Sequence, residues 1–117
     1  MTAPRDGSGS GTRGGPSRHE RPVIDEAALK AARAGDRLLD AARAVGAARW
    51  VSYLEPLPDR FRDDPIADLR RAALRARSAY GPKDSVRDVL PPEVTEPFLG
   101  AVDRLLKELA RRELGGQ

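Results

Sequence analysis

Proline divides the second half of this chain into short compartments. Pro56 and Pro58, then Pro65, Pro82 and the Pro91-Pro92 pair each interrupt a run of residues with helical spacing. Proline has no backbone N–H and pushes the residue before it out of the helical region, so a helix ends ahead of such a position or starts on it. Between these breaks the apolar residues recur at three and four positions rather than at two, which reads as helix. Only Trp50–Leu54, "WVSYL", keeps any strand character. The expected fold is all-α: a small irregular helical bundle of three main helices and one short one.

The first helix is expected to start at Asp25, a good N-cap, with Ile24 and Leu29 at the spacing of a hydrophobic staple. It is expected to run, bent, past Gly35 and Gly46 and to stop by Leu54, leaving Pro56 and Pro58 in a stiff extended connector. The next begins with Asp64 as cap and Pro65 at the first helical position, and closes at Tyr80-Gly81-Pro82. Its apolar stripe is Ile66, Leu69, Ala73, Ala76 and Tyr80. Ser85 and Asp88 have the spacing of a capping box for a short helix ahead of Pro91. Thr95 is the expected cap of the last helix. There Phe98, Val102, Leu105 and Leu109 form one face, widened by Leu99 and Leu106, up to Gly115-Gly116.

The folded region is thus expected over residues 23–114, with 115–117 a flexible end. Residues 1–22 are Gly, Ser, Pro and Arg with almost nothing apolar, and cannot offset their ordering entropy by burial, so they read as disordered. This tail carries +2 of the chain's net +3 (four arginines against Asp6 and Glu20), which leaves the folded part close to neutral. A domain that grips phosphates concentrates positive charge on one face, so the balance argues against nucleic acid as the main partner. No apolar run has the length of a membrane span and no basic-then-apolar leader opens the chain, so no membrane partner and a cytoplasmic location are expected.

The inventory of reactive groups is short. The chain has no cysteine and one histidine, His19, flanked by Arg18 and Glu20 in the tail. Zinc sites and cysteine or serine triads therefore have no material. Lys83, in "GPKDS", lacks the glycine pattern of a phosphate loop and reads as punctuation between helices. Asp59 with Asp63-Asp64 and Asp68 resembles the Asp-rich magnesium motif of isoprenoid synthases. The resemblance covers six residues, and the second metal motif of those much larger helical enzymes has no counterpart here. Asp64 already has work as a helix cap. No catalytic residue, cofactor or metal is expected, and the chain is read as a non-enzyme.

Two features point toward a partner. Three of the chain's five aromatics fall in "WVSYLEPLPDRF", residues 50–61. The segment is apolar nearly all round, which places it in the core. The rival reading leaves Trp50, Leu57 and Phe61 partly exposed inside a charged rim, the composition of an interaction hot spot. The second feature is Leu74, which falls off the apolar stripe of its helix between Arg70, Arg77 and Arg71. The expected function is a protein-interaction or regulatory module, with Trp50, Leu57, Phe61, Arg70, Leu74 and Arg77 as candidate contacts. Its partner is another protein or a second copy. The alternative is an accessory nucleic-acid binder using the Arg/Gly tail and the helix of Arg70–Arg77.

Overall fold

The computed structural model describes residues 17–115. The disorder expected of residues 1–16 falls outside the described residues; of the flexible end expected over 115–117, Gly115 is instead the last residue of a helix, and 116–117 fall outside the described residues. Among the described residues five α-helices follow one another: α1 (Pro22–Ala44), α2 (Ala48–Leu54), α3 (Leu57–Asp63), α4 (Ile66–Arg77) and α5 (Pro92–Gly115). Three short 3-10 turns, Arg18–Glu20, Ser78–Tyr80 and Val86–Asp88, complete the helical elements of the described residues. No strand forms among the described residues, and no helix there is long and apolar enough to cross a membrane.

Order starts before the expected boundary. Ser17 and Glu20 form a capping box around the first 3-10 turn, with Ser17 N–H donating to Glu20 Oε1 at 3.1 Å. α1 then begins on Pro22, a residue suited to the first turn because no N–H is needed there. Asp25 is therefore inside the helix rather than its cap. Its carboxylate accepts from Arg18 Nε at 2.8 Å, while Arg18 Nη1 donates to the Asp64 carbonyl at 3.0 Å. Composition alone places residues 17–22 in the tail, because the stretch is dominated by polar and charged side chains. What anchors them is a part-buried arginine, a signal that hydrophobic patterning does not register.

The single long helix expected up to Leu54 is two helices. Gly46 has φ +70° and ends α1 in the left-handed conformation, with Gly46 N–H on the Arg43 carbonyl and Ala47 N–H on that of Ala42. Glycine adopts this conformation without steric cost, which is why the break falls there and not at Gly35. Gly35 lies buried inside α1, and a Cβ on it would stand 3.0 Å from Phe98 Cε1.

The connector expected to be extended is helical. Only Glu55 and Pro56 separate α2 from α3, where Pro56 occupies the N-cap and Pro58 the first turn. Proline stiffens a chain, and at a helix start it also favours the helix. At the next junction Asp64 closes α3, bonded to the Arg60 carbonyl and paired with Arg60 Nε at 3.0 Å; Pro65, not Asp64, precedes α4. Thr95 is likewise not a cap, since α5 begins at Pro92 and Thr95 is buried within it. The Ser85–Asp88 capping box forms as its spacing implied, around the Val86–Asp88 turn.

α1 and α5 run antiparallel. Residues near 22 of α1 face 108–112 of α5, Ala27 faces Arg104, and Gly35 meets Phe98. α3 packs against α1 and α4 against α5, and these two also touch each other. Leu38, Leu54, Leu57, Phe61, Leu69, Phe98, Val102 and Leu105 fill the space between, with Phe61 and Phe98 edge to face at 6.1 Å. The expected stripes of α4 and α5 are the faces that point inward.

Candidate interaction surface

The two candidate features separate in space. Trp50 is 6% exposed, and Leu57 and Phe61 are fully buried. Trp50 stacks edge-on with Tyr53 at 5.7 Å, under the guanidinium of Arg49 at 5.1 Å. The partly exposed arrangement of Trp50, Leu57 and Phe61 is thus corrected. Because α3 is a helix rather than an extended connector, it turns Leu57, Pro58 and Phe61 onto α1 and α5.

The outer face of α4 is different. Its buried side carries Ile66, Leu69, Ala72, Ala73 and Ala76. Leu74 points the other way and is 47% exposed. Residues three and four apart are neighbours on a helix surface, so Arg70 and Arg77 flank Leu74 on one side and Arg71 and Ser78 on the other. Ala67, exposed one turn pair earlier, continues the apolar line toward the helix start. Three guanidiniums therefore surround one exposed leucine. Arg77 is held by Asp103 of α5 at 2.9 Å, and the Ser78 hydroxyl donates to the Leu74 carbonyl at 3.0 Å. The Leu74 signal was legible in the sequence; Ala67 was missed, although it stands seven residues before Leu74 on the same face.

The end of α4 is fixed from the opposite side. Tyr53 Oη donates to the Arg75 carbonyl at 2.7 Å, and the Arg75 guanidinium lies 4.5 Å over the Tyr53 ring. Arg75 is thus engaged within the domain.

Two members of the aspartate-rich stretch, Asp59 and Asp64, are taken into separate ion pairs. Asp59 accepts from Arg62 at 2.7 Å, and Arg62 also reaches Asp36 of α1 at 2.9 Å. Those hydrogen bonds, donated to Asp36 first and Asp59 second, raise the Arg62 guanidinium above its usual range. Among the described residues no group of three or more His, Asp or Glu side chains could hold a metal ion. His19 is exposed in the first 3-10 turn, 3.5 Å from Ser17 Oγ, and Lys83 is exposed in the loop before Ser85. Beside that loop Arg87 forms a two-pronged pair with Glu96, both contacts at 2.8 Å. The hydrogen bonds from Arg87 hold the Glu96 carboxyl down at about 2.

Comparison of the chain with protein-family models, with curated proteins and with solved structures finds no match.

Proposed function

We propose that this chain is a non-enzymatic, cytoplasmic protein-interaction module that receives an acidic, apolar segment of a partner protein on the outer face of α4. The reading is carried by Leu74, 47% exposed on a helix whose other large apolar side chains, Ile66 and Leu69, are buried. An apolar centre inside a rim of arginines is the pattern of a small interaction hot spot, where the leucine supplies desolvation and the guanidiniums select carboxylates. A nucleic-acid partner has less behind it. Arg75 lies over Tyr53 and Arg77 pairs with Asp103, so the helix offers no continuous row of cations to a phosphate backbone.

The test is site-specific photo-crosslinking in the cell from position 74, with exposed Lys107 as control position. A discrete protein adduct that appears at 74, is absent at 107 and is lost on Arg70→Glu/Arg71→Glu supports the reading. Equal labelling at both positions, or an adduct indifferent to the arginines, overturns it. An adduct of twice the chain's mass makes the partner a second copy and removes the acidic-segment reading.

A further inference from the structure

The outer side of the α1–α5 pair carries a channel that the α4 surface does not share. At one end a groove of about 410 Å³ opens over Pro22, Val23 and Ile24, bordered by Arg21, Arg111 and Arg112. A second recess, of about 300 Å³, lies over Ala27, Gly100 and Ala101 between Lys30 and Arg104. Val23 and Ala27 are one turn apart on α1, as are Arg104 and Glu108 on α5, so the two recesses follow each other along one side of the pair.

The floor is apolar and shallow. Val23 is 52% exposed, and a Cβ on Gly100 would meet nothing within 4 Å. The rim is basic: Arg21, Lys30, Arg104, Arg111 and Arg112 against Glu20 and Glu108. Both carboxylates are already engaged, Glu20 by the Ser17 N–H, and Glu108 by Arg104 at 3.0 Å and Arg111 at 3.7 Å. Arg112 Nε is buried and has no acceptor.

We propose that this channel docks a peptide segment of a partner protein in which carboxylates stand beside a leucine or phenylalanine. Charge decides the occupant. A second copy would bring cations to cations, and residues 1–16 hold Arg5 and Arg13 against Asp6 alone. Two recesses in line along the helices suit an elongated segment rather than a compact metabolite. The inference is independent of the α4 reading and shares no residue with it.

The experiment is to pan a phage-displayed library of random dodecapeptides against the immobilised full chain. Enriched peptides are then titrated by fluorescence anisotropy against the wild type, Val23→Glu, Arg112→Ala and Leu74→Asp. Circular dichroism confirms that each variant is folded, which is expected because Val23 and Leu74 are both about half exposed and Arg112→Ala removes a donor that lacks an acceptor. The expected peptides pair Glu or Asp with Leu or Phe. They weaken about tenfold or more with either channel variant, weaken with salt, and bind Leu74→Asp unchanged. No enrichment, selection of basic or uncharged sequences, or binding that survives both channel variants overturns the proposal.

Discussion

Tyr53 and Arg75 hold each other twice. The phenol donates to the Arg75 carbonyl at 2.7 Å, and the Arg75 guanidinium returns over the same ring at 4.5 Å. The Arg75 carbonyl also receives the Ser78 N–H, so the phenol is a second donor on it, while the cation sits where the helix dipole favours positive charge. The pair ties α2, otherwise packed on α1, to the end of the helix that displays Leu74.

Tyr53→Phe removes the hydrogen bond and leaves the ring under the cation. It is expected to lower stability by about 0.5–1.5 kcal/mol, and Tyr53→Ala by more because the ring contacts go too. Urea unfolding of the two variants beside Arg75→Ala measures both contributions. Equal losses in Phe and Ala variants would show that the ring contributes nothing.

Gly35→Ala sets two effects against each other. In a helix interior alanine is favoured over glycine by about 1 kcal/mol. Here the new methyl would stand 3.0 Å from Phe98 and 3.4 Å from Pro58, both of them buried. Overpacking of this kind costs about 1–3 kcal/mol, so net destabilisation is expected, together with a change in aromatic-region NMR shifts of Phe98. A stabilised Gly35→Ala protein would mean that the ring moves aside freely.

Trp50 is the only tryptophan, and at 6% exposure its fluorescence reports the α2 packing alone. The native protein is expected to emit to the blue of free tryptophan and to resist acrylamide quenching at every protein concentration. Protection that disappears on dilution would place Trp50 in a contact between copies rather than in the core.

Glu96 predicts the response to acid. Its carboxyl is held at about 2 by hydrogen bonds from Arg87, below the ordinary value of 4.5. A carboxyl lowered by folding stabilises the fold fully above the unfolded value, and that contribution is lost as pH falls from about 4.5 toward 2. The pair is exposed to solvent, so the effect is modest and screened by salt. Glu96→Gln should therefore be less stable than the wild type at neutral pH, with the gap closing between pH 4.5 and pH 2. A gap that persists at pH 2 would assign the loss to something other than the ionised pair.

The fold class was legible because the stripes of α4 and α5 have an unambiguous period and their side chains are the ones buried. What was illegible came from residues with two uses. Pro56 and Pro58 stiffen an extended strand and start a helix equally well, and the two cannot be told apart without knowing that Leu57 and Phe61 find a core to enter. Gly35 and Gly46 look alike in the sequence, yet one needs room and the other a left-handed backbone. Asp64 carries the right residue type for a cap but is taken by Arg60. For the surface, Leu74 stood out because its position conflicts with the stripe, which one helix decides. The channel between α1 and α5 was invisible because neither helix contains it alone.

Arg18 has a practical meaning for anyone cutting the chain. Its side chain, only 12% exposed, joins the turn before α1 to Asp25 and to the Asp64 carbonyl, 46 positions further on. A fragment begun at residue 23, where the apolar pattern starts, would lose this latch and strip a partner from the α3–α4 corner. A fragment that keeps the latch has to retain Arg18 and the Ser17–Glu20 capping box that holds its turn, a requirement set by a guanidinium and not by a hydrophobe.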